Sequence, residues 1–202
     1  MKQINLMLMT LFTVLAIGYA AESNAQFHAG VDFRYSIGLG ETIADNDLFT
    51  SAQPANSYIF AVSGLYEFTP LVWAGVGVNL GINNTSIMEL GTTITQKPIM
   101  QFAPYLTVRL HPIACHRNAY VFTDLGYAVP FNETKNFSEG WLWNAGIGYR
   151  YMFRKHFGLN FNVSYNLQQI IGTPYKVEDS NLSLLAKNNL RHSIGIAVGL
   201  IF

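Results

Sequence analysis

Apolar and polar residues alternate one by one along much of this chain. In FGLNFNVSYNLQ, residues 157–168, the odd positions are Phe157, Leu159, Phe161, Val163, Tyr165 and Leu167, and the even ones Gly158, Asn160, Asn162, Ser164, Asn166 and Gln168. A period of two places alternate side chains on opposite faces of an extended strand. Eight stretches carry it: 27–39, 57–68, 72–81, 99–110, 119–129, 141–153, 157–168 and 192–202. Each is close to the roughly 9–11 residues that a tilted strand needs to cross a bilayer. The pattern predicts an all-β protein.

The connections between the stretches are of two kinds, and they alternate. After the second, fourth and sixth they are short: 69–70, 111–118 and 154–156. After the first, third, fifth and seventh they are long: 40–56, 82–98, 130–140 and 169–191. An even number of strands leaves both chain ends on the short-turn side. Such an alternation of short and long connections is expected of an up-and-down antiparallel barrel in an outer membrane, with short turns in the periplasm and long loops outside.

Composition decides which face points in. Apolar residues make up 50% of the 202 and charged residues 12%, against roughly 25% charged in soluble domains. The polar faces carry Gly, Ser, Asn and Gln in place of the Lys and Glu that keep an exposed sheet soluble. In a narrow barrel they suit a packed interior, with the aromatic and aliphatic faces turned to lipid. Tyr66, Phe68, Tyr151, Phe153, Phe157 and Phe202 would form one interfacial girdle, and Tyr58, Phe60, Trp141 and Trp143 the other. At the N-terminus Lys2, the apolar run Leu6 to Ile17 and Ser23-Asn24-Ala25 read as a signal peptide, residues 1–25, cleaved to leave a single barrel domain, 26–202. The net charge of zero gives no electrostatic case for nucleic acid. Cys115 is the only cysteine, so no intrachain disulfide forms.

Candidate chemistry is sparse. Asp32, Arg34, Glu67, Arg109, Asp124 and Arg150 fall on the inward parity. They form either an ion-pair network that fills the lumen or the filter of a narrow pore, and since buried charges require partners the first is favoured. His111, Cys115 and His116 in HPIACHR, with His28 and His156 near the same rim, have a soft-metal look. Convergence of three or four ligands would be needed, and a turn with histidines at headgroup level is the simpler reading. No metal or cofactor is expected. His192 and Ser193 are adjacent in a strand and point to opposite faces, so they are no base and nucleophile pair. Pro104, in the middle of a predicted strand, lacks the N–H of a ladder bond and predicts a bulge or a locally missing bond. The segment 178–190, EDSNLSLLAKNNL, fits either a short amphipathic turn or an extension of a hairpin.

With its signal ending Ser23-Asn24-Ala25, its eight alternating segments and its last strand GIAVGLIF closing on Phe202, the mature chain resembles the small eight-stranded outer-membrane barrels of the OmpA-transmembrane and OmpX kind. The resemblance implies an outer-membrane location with both mature termini in the periplasm. It also implies contact with outer-membrane lipid and lipopolysaccharide, and an encounter with the barrel-assembly machinery. In that family a terminal aromatic with alternating apolar residues is the mark read at assembly. Leu200 and Phe202 match it, and Ala197 stands where glycine is commoner. The role expected is structural or interactive, without catalysis, through an unidentified partner of the loops. The alternatives are a narrow pore for small solutes or ions and, on a barrel of this kind, a lipid-modifying enzyme.

Overall fold

The computed structural model describes residues 27–43, 56–84, 86–89, 92–95, 98–112, 118–131, 137–138, 140–154, 157–172, 175–176, 183–184 and 189–202. Eight long strands build it: β1 (Phe27–Ile43), β2 (Ser57–Thr69), β3 (Val72–Asn83), β6 (Ile99–Leu110), β7 (Ala119–Pro130), β9 (Gly140–Arg154), β10 (Phe157–Gly172) and β13 (Asn189–Ile201). Short pieces decorate the long connections. They are the hairpin of β4 (Ser86–Glu89) and β5 (Thr92–Thr95), then β8 (Phe137–Ser138), and the pair β11 (Tyr175–Lys176) and β12 (Ser183–Leu184). The signal-peptide expectation for residues 1–25 lies outside the described residues.

Each long strand pairs antiparallel with its neighbour in the chain, and β13 pairs with both β10 and β1. The sheet therefore closes, and no long strand has a free edge. Reciprocal backbone bonds finish the seam: Ala29 N donates to Phe202 O at 3.0 Å and Phe202 N to Ala29 O at 2.8 Å. Following paired residues round the wall leads from His28 through Leu65, Gly75, Thr107, Asp124, Asn144, Asn166 and Ser193 to Gly38. That is a shear of ten residues on eight strands, which tilts the strands by roughly 35–45° from the barrel axis. Phe27, Phe202 and the turn between β2 and β3 lie at one rim, the terminal rim, and β1, β3, β7 and β10 run to the other, where the long connections begin.

The faces divide as the alternation predicts. On β10, Phe161 and Val163 are 42% and 47% exposed, whereas Asn160 and Asn162 are 2% and 6% exposed. The apolar side is the outer wall, and it needs hydrocarbon to cover it. Aromatic rings line the terminal rim: Tyr66 lies edge-on to Phe68, and a separate run takes Tyr151 edge-on to Phe153, then Phe153, Phe157 and Phe202 at centroid spacings of 6.0 and 5.6 Å. Near the other rim Tyr58 packs with Phe33 and Tyr35.

Several strands run past the alternation, three of them by three or four residues at one end. β1 continues past Leu39 to Ile43, β10 past Gln168 to Gly172, and β13 begins at Asn189, ahead of His192. Backbone pairing needs no apolar face, so Glu41 opposite Arg191 and Thr42 opposite Leu190 extend the ladder where the alternation has stopped. The register steps from Gly38–Ser193 to Gly40–His192, leaving Leu39 as an extra residue in β1. Within 178–190 the described pieces extend hairpins: Ser183–Leu184 pairs with Tyr175–Lys176, and Asn189–Leu190 with Gln169–Ile170. At Pro104 the pairing with β3 is unbroken, but on the β7 side Ala103 and Pro104 have no ladder partners. The register is the same above and below, at Phe102–Val129 and Tyr105–Gly126, so the proline leaves a local gap and no bulge.

Candidate functional site in the barrel lumen

The inward side chains form two connected layers. In the layer nearer the long connections, Arg34 Nη2 lies 3.6 Å from Asp124 Oδ2. Oriented to satisfy both of its amide atoms, Asn144 accepts from Arg34 Nη1 at 2.9 Å and donates to Asn166 Oδ1 at 2.9 Å. Ser164 Oγ also donates to Asn166 Oδ1, at 2.9 Å, and Asn166 Nδ2 reaches Ser193 Oγ at 3.4 Å. Above them the amides of Gln101 and Gln168 bond reciprocally across the lumen. These residues come from β1, β6, β7, β9, β10 and β13, so the layer ties opposite walls together. Inside a narrow barrel such amides replace water as partners for each other and for the ion pair.

The second layer, toward the terminal rim, is aromatic and cationic. Trp73 lies inside the barrel and is 2% exposed. The His28 ring stacks on it at 4.1 Å, 4° from parallel, and the His111 ring tilts against it at 4.7 Å. The Arg150 guanidinium sits 4.2 Å from the Trp73 ring centroid, and that of Arg109 5.1 Å from the Tyr120 centroid, both within range of cation–π attraction. Tyr120 donates its O–H to Asn160 Oδ1, and Asn160 Nδ2 donates to Asp32 Oδ1 at 2.7 Å. His28 Nε2 lies 3.6 Å from Glu67 Oε2. Leu65, Trp73 and Ile201 with Met152 add an apolar cluster at the same end.

Small residues make room for these rings. A Cβ at Gly77 would lie 2.3 Å from Tyr105 Cζ, and one at Gly148 would lie 2.1 Å from Tyr120 Cζ. The inward glycines of β3 and β9 are thus the surfaces on which two tyrosines lie flat.

All six charges singled out by parity point inward, and the structure gives each a particular neighbour. Arg34 meets Asp124, Asp32 meets Asn160, Glu67 faces His28, and Arg109 and Arg150 lie over rings. The network is built as much from amides and aromatic faces as from charge pairs. Arg191, placed by the alternation in a loop, is an additional inward arginine on β13 and is buried. Trp73, Tyr120 and Phe122 are further inward residues that the apolar–polar division does not single out; the parity they share with Gly75, Asp124 and Gly126 marks them as inward.

His111 is buried in the lumen against Trp73 and Tyr120, not at headgroup level as the turn reading expected. The chain reaches β6's end still on the inward parity of Thr107 and Arg109, and this carries the imidazole inside. Cys115, His116 and His156 lie outside the described residues. Among the described residues no three His, Cys, Asp or Glu side chains are grouped to hold a metal ion. His192 and Ser193 do face opposite ways: the imidazole bonds Tyr165 on the outer wall, while the serine joins Asn166 within.

Solved structures similar to this one include small outer-membrane barrels. The outer membrane protein OprG from Pseudomonas aeruginosa superposes with a TM-score of 0.53 at 12% identity, over 87% of this chain and 94% of OprG. Ail, the attachment invasion locus protein of Yersinia pestis, gives 0.46 at 13% identity over 88% and 99%. The outer membrane protein W of E. coli gives 0.38 at 14% identity over 80% and 95%. No protein-family model matches the chain. No curated protein matches it either. The protein is a closed, eight-stranded antiparallel β-barrel, and OprG shares that fold.

Proposed function

We propose that this protein is an integral outer-membrane barrel without catalytic activity, a rigid stem whose long connections face the outside and meet a partner there. The observation that carries this reading is the lumen. Its terminal end is filled by Trp73 between His28, His111 and Arg150, and the layer above is crosslinked by Arg34, Asp124, Asn144 and Asn166. A filled lumen suits a scaffold, and the residues that remain to act on other molecules are then those of the connections. The chain ends and short turns stand in the periplasm in this reading, as suits a chain that enters from that side.

Two results follow. Detergent-purified, heat-modifiable protein added to planar bilayers should give no stable conductance steps; steady channel opening by the unaltered protein would replace the scaffold with a narrow pore. Removal of Phe202 should lower the heat-modifiable outer-membrane fraction severalfold. This residue closes the seam through Ala29 and packs on Phe157, and in this reading it serves with Leu200 as the mark read at assembly. Unchanged levels of assembled protein would remove that role from Phe202.

A further inference from the structure

The outer wall is not uniform. Across β1, β2, β3, β6 and β7 it carries an apolar groove of about 720 Å³. Most outward positions supply a branched or aromatic side chain, but here Gly64 supplies none and Pro104 only a short ring. The depression is flanked by Phe27 and Tyr127, with Val76 and Leu106 between. The Phe27 ring lies beside Gly64, where an added Cβ would stand 3.2 Å from its Cζ. Val76 and Leu106 are 61% and 62% exposed, among the most open hydrophobic residues of the wall.

The groove also has a direction. Gly64, Val76 and Leu106 lie on one cross-strand row that begins at Ala29, beside Phe202 and the terminal rim. Because the strands are tilted, that row climbs the wall as it passes from β1 to β7. A chain lying in it would enter at the terminal rim and run toward the mid-plane. The groove is continuous with the apolar belt that meets hydrocarbon, and its walls offer hydrocarbon and ring carbon, so its natural occupant is hydrocarbon too.

We propose that this groove is a binding site for one acyl chain of a phospholipid drawn from the periplasmic leaflet. The choice of leaflet rests on the orientation given under Proposed function; the site itself does not. The experiment is native mass spectrometry of the barrel in mild detergent, titrated with dipalmitoyl-phosphatidylethanolamine and, separately, with lipid A. Heat-modifiable migration is checked first for every preparation, and loss of it in the unaltered protein overturns the barrel reading and this one together. Unaltered protein should retain about one phosphatidylethanolamine per barrel, as expected of a single pocket of this size. Val76→Trp, which fills the groove, should reduce retention about fivefold or more, while Ile196→Trp on the opposite wall should leave it within about twofold. Leu106→Trp serves as the second filling variant if Val76→Trp fails to assemble. Equal loss in the groove and control variants would show a general lipid annulus and overturn the site. No retained phosphatidylethanolamine in the unaltered protein would overturn it as well. Groove-dependent retention of lipid A in place of phosphatidylethanolamine would overturn the choice of leaflet, pointing to the orientation and leaving the barrel intact.

Discussion

Arginine in place of Val163 should destabilise the barrel by about 2–4 kcal/mol when unfolding is measured by denaturant in phospholipid vesicles, the cost of a cation near the bilayer mid-plane on a lipid-facing position. Val163 stands near the centre of its strand, opposite Ile147 on one side and Ile196 on the other. All three are outward and about half or more exposed, at 47%, 65% and 53%. Three branched side chains in one cross-strand row mark the wall at its most hydrocarbon-like. The neighbouring Asn162 faces the other way and is 6% exposed. Leucine at position 163 should be nearly neutral, which separates the charge from the change of shape. A cost below about 0.5 kcal/mol for the arginine, the level of an ordinary surface substitution, would mean that this face does not meet lipid.

Alanine in place of Trp73 should act at the other extreme, inside the barrel. The indole is the hub of the terminal end, touched by His28, His111 and Arg150. Its removal takes away a large buried side chain and leaves the Arg150 guanidinium without the ring it covers. The expected loss is about 3–5 kcal/mol, the range for truncating a buried Trp or Phe to alanine. The layer of Arg34, Asp124, Asn144 and Asn166 still crosses the lumen above the space left, so planar-bilayer recordings should stay silent. Trp73→Phe should retain most of the stability and keep the lumen closed. A Trp73→Ala variant as stable as the unaltered protein would show that the indole is not the hub of this end.

The wall was legible in the sequence because lipid and lumen make opposite demands on alternate residues. Phe161 and Asn162 cannot exchange places, so the alternation that runs through them reports the fold directly. The lumen was legible only for its polar members. Asp32, Arg34 and Asp124 stand out on an inward parity of small residues, whereas Trp73, Leu65 and Tyr120 are of the same chemical kind as the outer wall and are told from it by parity alone. Near the terminal rim that sorting weakens, because an interior sealed by rings and a girdle of rings use the same residue types. The strand ends were hidden for a different reason. Above the lipid, Glu41 and Arg191 pair through backbone bonds that any side chains permit, so the ladder continues without an apolar face to announce it. Pro104 was read from a missing N–H, which is a property of the residue itself and needs no knowledge of its neighbours.

The shear of the barrel determines how the lumen can be assembled. Asn160 and Asp32 are 128 residues apart in the chain, Asn166 and Ser36 are 130 apart, and Gln168 and Gln101 are 67 apart. None of these partners shares a hairpin, so a sheet that has grown strand by strand and not yet closed leaves Asp32 and Ser36 without them. The desolvated interior is satisfied only by the finished cylinder. Partly closed forms then carry the cost of unmatched polar groups together with the loop entropy of contacts so distant in the chain. Folding should therefore be slow and all-or-none, with the last closure between β13 and β1 the event that makes the interior stable.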